Sequence, residues 1–255
     1  IVPVGVLEPH SAHLPLGMDM LEAHYTAREA AERELAIVFP AYPYGINHES
    51  AHLPGSVVFR RTLVFSLLEN VCDEMARHGL TKIILLSGHG GNRYFLPLFV
   101  QTLMESDKSY TAYYAGVPYS EAALAKLETD ETGHAGELET SIALYMHAEL
   151  VKMGQVPAQP FTSLGRNRVL QAVGAYSPMD WYAMYPAMYV GDASQASAEK
   201  GEALVESRIT GLVELIQRVK EDQEMAALQA EFRRLIQDPE IPEAWVGSGE
   251  RDIGE

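Results

Sequence analysis

Three features of the sequence predict an α/β domain with a largely parallel central sheet. Strand-like apolar runs alternate with helical patterns, polar clusters fall at strand ends and helix starts, and the composition can fill a core. The 255-residue chain is 47% hydrophobic and 21% charged, ordinary for a globular protein, so a sizeable core is expected. Residues 1–237 read as a single domain without internal repeat, low-complexity segment or clear linker, and 238–255 as a loop-like tail.

The elements follow in order. Ile1-Val2-Pro3-Val4-Gly5-Val6-Leu7 reads as a buried strand. Residues 20–35 read as an amphipathic helix with Leu21, His24, Ala27, Ala31 and Leu35 inward. Ile37-Val38-Phe39 reads as a short strand ended by Pro40, and 42–56 as a polar loop rich in Tyr, Gly, Pro and His. A helix over 61–78 is stopped by Gly79, and Cys72 falls at its core spacing. Lys82–Leu86 (KIILL) is all apolar after its lysine, as a strand covered on both faces would be. A helix over about 94–105, a strand over 110–115 and a helix over 137–152 follow. Residues 154–190, rich in Gly, Pro, Tyr and Met, show no periodicity. A helix over 198–220 is extended or joined by another over 221–237.

Charge and cysteine content exclude several classes. With 35 acidic and 19 basic residues the formal charge is −16, a field that disfavours nucleic acid and anionic membranes. No run of about 18 apolar residues suggests a transmembrane helix, and no signal-peptide pattern is present, so a cytoplasmic protein is expected. The start within a strand-like run raises the expectation of a preceding segment. Cys72 is the only cysteine, so any metal must be held by His, Asp and Glu.

Three polar clusters carry the chemistry. The first, EPHSAHLPLGMD (8–19), holds Glu8, His10, His13 and Asp19. In extended chain, residues two apart face the same way, so Glu8 and His10 can converge, and Asp19 can reach back after the turn. These residue types ligate zinc, manganese or iron, but an E-x-H spacing also suits an ordinary polar loop. The second cluster, Ser87-Gly88-His89-Gly90-Gly91-Asn92, directly follows KIILL; without GxGxxG or GK[ST] it is no phosphate loop. It puts His89 where α/β sites lie, or forms only a tight turn. The third, Gly133-His134-Ala135-Gly136-Glu137-Leu138-Glu139-Thr140-Ser141, opens a helix whose dipole alone would favour both glutamates. His134, just outside that helix, is free to act as an acid/base.

In this order the three clusters resemble the creatininase (creatinine amidohydrolase) superfamily, whose pattern looks like PvGslEqHGpHLPlgtD, then GHGGN, then HAGExETS. His52-Leu53-Pro54-Gly55-Ser56 is similar to its H-F-P-G-T loop, and Gly191-Asp192-Ala193 with Ala198-Glu199-Lys200-Gly201-Glu202 to its late G-D-P…A-x-x-E-K-G-E segment. The resemblance spans roughly residues 1 to 220. It implies a three-layer α/β/α fold with a largely parallel central sheet, a homo-oligomer (a hexamer) and two divalent cations, zinc foremost, manganese or iron otherwise. Carried over, it implies Glu8, Asp19 and His89 around one cation and His10 and Asp19 around the other, with Asp19 bridging. Creatininase proper has a Glu two residues after the His of the second motif, where this chain has Gly91. Glu137, directly after HAG, is expected to supply that fifth ligand and to act at the catalytic centre with His134, leaving Glu139 as an outer partner.

The implied activity is metal-dependent hydrolysis of a C–N bond, amide or cyclic amide, in a small-molecule substrate, with His134 as acid/base. Creatinine itself is disfavoured, because Asp130 stands where creatininase has a Trp four residues before the His of the third motif. Hydrolysis of another carbonyl ring such as a keto-sugar or lactone, an isomerase or lyase, and a non-catalytic binding protein are the alternatives. His13, His48 and His52 could line the pocket or be loop histidines. Residues 175–189 could form a wall, a lid, a subunit interface or plain core.

Overall fold

The computed structural model describes residues 1–242 and 245, so residues 243, 244 and 246–255 of the expected tail lie outside the described residues. The described chain divides into two compact units, Ile1–Lys220 and the residues from Glu221 onward.

The first unit is built on a parallel sheet in the order β1 (Val2–Val4), β2 (Lys82–Ser87), β3 (Thr111–Ala115). Its helices are α1 (Met18–Arg33), α2 (Arg61–Arg77), α3 (Asn92–Thr102), α4 (Glu121–Leu124), α5 (Glu137–His147), α6 (Arg168–Gln171), α7 (Asp180–Met184) and α8 (Ala198–Glu221). β2 explains the layering. Its alternating side chains face opposite ways, and each apolar one buried fully contributes roughly 1.5–3 kcal/mol. Ile83 and Leu85 join Val64, Leu68 and Cys72 of α2 and Phe95, Leu96 and Phe99 of α3. Ile84 and Leu86 join Met18, Ala27 and Ala30 of α1, Ile142 of α5 and Leu204, Ile209, Leu212 and Ile216 of α8. The result is the expected α/β/α sandwich with a parallel sheet at its centre.

Two expectations change. The run Ile37–Phe39 follows β1, with Phe39 N–H donating to Ile1 O (2.8 Å), Tyr42 N–H to Pro3 O (3.2 Å) and Gly5 N–H to Tyr42 O (2.9 Å), but it forms no continuous strand. Pro40 and Pro43 lack the N–H groups a ladder needs. The inner face of α1 is also rotated from the one expected. Met18, Asp19, Glu22, Ala23, Thr26, Ala27 and Ala30 are buried, while Leu35 lies beyond the helix end and is exposed.

Glycines just past the strand ends let α1 sit directly on them. A Cβ on Gly5 would lie 2.4 Å from Met20 N, and one on Gly88 would lie 2.2 Å from Asp19 O. This contact sets Asp19, in the first turn of α1, against the carboxyl ends of β1 and β2. Beneath it lies Arg208, a buried charge on the apolar face of α8. Its guanidinium pairs with Glu22, donates to Ser87 O at 2.9 Å and lies over the Tyr119 ring, while Tyr119 O–H donates to Glu22 at 2.7 Å. The second unit contains α9 (Glu224–Gln237), which carries Met225, Leu228, Phe232 and Ile236 at helical spacing.

Removing one partner of such a buried pair strands the other charge. Arg208→Met is expected to destabilise the protein by about 3–5 kcal/mol, read from the urea unfolding midpoint. An unchanged midpoint would mean that Glu22 escapes to solvent.

Candidate metal centre

The chain leaves β1 into a loop closed by Glu8 N–H donating to Leu16 O at 3.0 Å. Ser11 adopts a left-handed φ of 56°. His10 and His13, on either side of it, face different surroundings. His10 Nδ1 lies 3.2 Å from Glu8 O, and its Nε2 lies 3.2 Å from Asp19 Oδ1 and 3.4 Å from Glu139 Oε2. His13 Nε2 lies 2.8 Å from Thr140 Oγ1, so His13 braces α5 rather than lining a pocket.

His89, just past β2, completes the cluster. Its Nδ1 lies 3.2 Å from Glu8 Oε1 and 3.1 Å from Asp19 Oδ2, and its Nε2 lies 3.2 Å from Glu49 Oε1. Asp19 therefore presents one oxygen to each imidazole. Glu8, His10, Asp19 and His89 are all buried. Donor atoms of His10, Asp19 and Glu139 lie within 4.8 Å of one another, as do those of Glu8, Glu49 and His89 and those of Glu8, His10 and His134.

The electrostatics are those of a cation site. Among the described residues, both Glu8 oxygens and Asp19 Oδ2 lack a well-aligned hydrogen bond, with His89 Nδ1 facing Glu8 Oε1 and Asp19 Oδ2. Leaving carboxylates so costs several kcal/mol each unless a cation compensates them. The imidazoles respond accordingly. Burial works to lower the pKa of His10, but Asp19 and Glu139 outweigh it and raise it to about 10. His89 is likewise raised against burial, by Glu8 and Asp19. Burial pushes the Glu139 carboxyl up to about 7 against the pull of His10. Two imidazole nitrogens and three carboxylates form an N/O donor set suited to zinc, manganese or iron. The residues present fit such ions.

Glu137, expected as the fifth ligand and a catalytic group, is not part of this cluster. Its carboxylate accepts from Glu128 N (3.0 Å), Thr129 N (2.8 Å), Thr129 Oγ1 and Lys200 Nζ (2.6 Å). Glu139 stands at His10 instead, where its Oε2 also accepts Ala135 N–H at 2.6 Å, closing the start of α5. Residues two apart on a helix point about 200° apart, so only one of the pair can face the centre. Lys200, from the late matched segment, holds the other.

His134 stacks on His10 with ring centroids 4.0 Å apart. Its Nε2 lies 2.8 Å from Pro9 O, so Nε2–H donates there and the Nδ1 lone pair faces Glu8 Oε1 at 3.6 Å. Burial, then the His10 charge, lowers its pKa to about 4. Ala135, the next residue, also has a left-handed φ of 56°. Trp181 meets His134 edge-on at 5.9 Å, and its indole N–H points to Met188 Sδ at 2.9 Å. An aromatic thus reaches His134 from the aperiodic segment, while Asp130 lines a separate cavity of about 430 Å³ with Glu128, Glu131 and Asp192. His48 is exposed, and His52 lies between the carbonyls of Glu49 (3.1 Å) and Pro186 (2.7 Å), joining loop 42–56 to this segment. Sequence reasoning missed Glu49; its signal was a lone carboxylate in a His-rich loop.

A buried imidazole–carboxylate centre at the carboxyl ends of a parallel sheet defines an α/β protein of enzyme-like build. The creatinine amidohydrolase family model matches residues 1–216, and the chain belongs to the creatininase family. It is 25% identical over 239 residues to creatinine amidohydrolase of Pseudomonas putida, covering 85% of this chain and 87% of the relative. It is 27% identical over 231 residues to the mycofactocin precursor peptide peptidase of Mycolicibacterium smegmatis (87% and 85% covered). The 3-dehydro-scyllo-inosose hydrolase of Thermotoga maritima is 26% identical over 242 residues (87% and 77% covered). Among solved structures, a creatinine amidohydrolase candidate from Bacteroides fragilis superposes with a TM-score of 0.77 at 28% identity, covering 88% of this chain and 90% of that one. A mutant creatininase of Zn-Zn type superposes at 0.71 with 24% identity, covering 85% and 88%, and shares the fold. Among the described residues no helix is long and apolar enough to cross a membrane.

Proposed function

We propose that this protein is a hydrolase dependent on two divalent cations, cleaving a C–N bond of an amide or cyclic amide in a small molecule. The observation that carries the reading is the trio of buried carboxylate oxygens on Glu8 and Asp19 that lack a well-aligned hydrogen bond and converge with the imidazoles of His10 and His89. Glu8, Asp19 and His89 would hold one cation; His10, Asp19 and Glu139 the other. Zinc is the first choice and manganese the next, since a mutant creatininase of this fold is of Zn-Zn type and another creatininase structure is named for Mn, with iron after them. When bound, such ions lower the pKa of a water and polarise a substrate carbonyl.

The chain's own residues do the rest. Pro9 O fixes the His134 tautomer, leaving Nδ1 to take a proton on the centre side and return it to the leaving nitrogen. Trp181 packs edge-on beside the His134 ring. Hydrolysis of a carbonyl ring is the second reading, favoured by the inosose hydrolase relative at an identity close to that of the amidohydrolase.

Asp19→Asn is expected to remove most bound metal, because it touches both sites; full occupancy by elemental analysis would sink the bridging role. Glu139→Gln should lower metal content, whereas Glu137→Gln should leave metal in place and cost about 1–3 kcal/mol of stability, so both variants are assayed for metal and melting together. His134→Ala should retain fold and metal and lose about 10²–10⁴-fold in kcat; near-normal turnover would put the acid/base elsewhere. We further propose a homo-oligomer, supported by the exposed apolar side chains of Val169, Leu170, Val173 and Tyr176, with six subunits taken from the family resemblance alone. Light scattering at the monomer mass would overturn it.

A further inference from the structure

We propose that Glu49 is a positioning residue that holds the His89 imidazole with its Nδ1 lone pair turned on the cation site, and that position 91 lacks a side chain in order to admit it. The inference rests on the cation-binding reading above.

A neutral imidazole has one N–H and one bare nitrogen, and only the bare one can ligate. Carboxylate oxygens face His89 from both ends: Glu8 and Asp19 at Nδ1, Glu49 at Nε2. The ring can donate to only one end. With Glu49 Oε1 taking Nε2–H at 3.2 Å, Nδ1 is left bare toward two carboxylates, a stable arrangement only with a cation between them. Carboxylate partners of ligating histidines act in this way, fixing tautomer and ring orientation.

Glu49 is built into place. It lies in the short helical turn His48–Ser50. Asn47, just before it, donates from Nδ2 to Leu7 O at 3.0 Å, the residue ahead of Glu8. Ser56 Oγ donates to Ser50 O at 2.6 Å, closing the loop behind it. The turn is thus tied to the segment that carries Glu8. Gly91 supplies the space: a Cβ there would lie 2.5 Å from His89 Nε2 and 3.0 Å from Glu49 Oε1. Any side chain at position 91 and the Glu49–His89 contact in this geometry exclude each other. A bare position 91 and a carboxylate from a different loop are two halves of one arrangement.

The test is competition for Zn²⁺ between the whole protein and a chromophoric chelator, resolved into its binding equivalents. Glu49→Ala should weaken one equivalent by about 10–100-fold and leave the other unchanged. Glu49→Gln keeps an acceptor for Nε2–H and should lose clearly less. Gly91→Ala should weaken the same equivalent with Glu49 intact; its fold is checked by circular dichroism, and the Glu49 variants carry the test if it does not fold. Nitrogen-15 spectra of the loaded protein should show His89 protonated at Nε2 in the parent and in Glu49→Gln. Unchanged affinity in Glu49→Ala overturns the inference, as does Glu49→Gln falling as far as Glu49→Ala, which would make Glu49 a direct ligand. A parent protein that takes up no Zn²⁺ overturns the cation reading itself, an outcome separate from both.

Discussion

Glu8 and Asp19 bring carboxylate oxygens into the interior with imidazoles facing them and few well-aligned hydrogen bonds, and much of the surrounding structure is arranged around that cost. Water would solvate them, but the sandwich excludes it. His10 and His89 approach from two different elements, and each meets one oxygen of Asp19. Without cations the imidazoles must carry the compensating protons, which is why burial fails to lower their pKa values. The same residues would hold metal ions with neutral imidazoles.

That arrangement needs backbone held against its preference. Ser11, Ala135 and Met188 adopt left-handed φ angles, and each adjoins a part of the centre: the Glu8–His10 loop, His134, and the Trp181 segment. Left-handed backbone without glycine is maintained by surrounding contacts. Those contacts are visible. His13 hydrogen-bonds Thr140, His134 O accepts Val190 N–H at 2.9 Å, and Lys200 fastens the Glu137 carboxylate to loop 128–129. Arg208 secures the end of β2 and the second turn of α1 from below.

The segment 175–189 has two characters. Trp181 and Tyr185 pack at 5.0 Å, and Trp181 reaches His134. Tyr176 is exposed and meets Tyr94 at 5.4 Å. One end of the stretch therefore belongs to the centre's wall and the other to the surface. The aromatic neighbour of His134 comes from a stretch 47 residues further along the chain, which local motif matching does not register.

By itself the sequence determined the layers and the gathering of the centre. β2 is apolar on both faces, so it had to be covered on both. Glu8, His10, Asp19 and His89 sit at strand ends or the first turn of a helix, so local geometry nearly suffices to bring them together. The choice between Glu137 and Glu139 was not local. Both suit a helix start, and helical rotation says only that they diverge; Lys200, 63 residues beyond Glu137, decides which one turns away. Glu49 and Trp181 are of the same kind, since their places follow from long-range contacts of irregular loops. The α1 face is a third case. Periodicity favours Leu21 and Leu35, but Gly5 and Gly88 demand small residues at the contact and Arg208 gives Glu22 a buried partner. Patterning fixes which elements form, because it depends on neighbours in sequence. Which side chain faces the centre depends on partners that only the folded chain brings near.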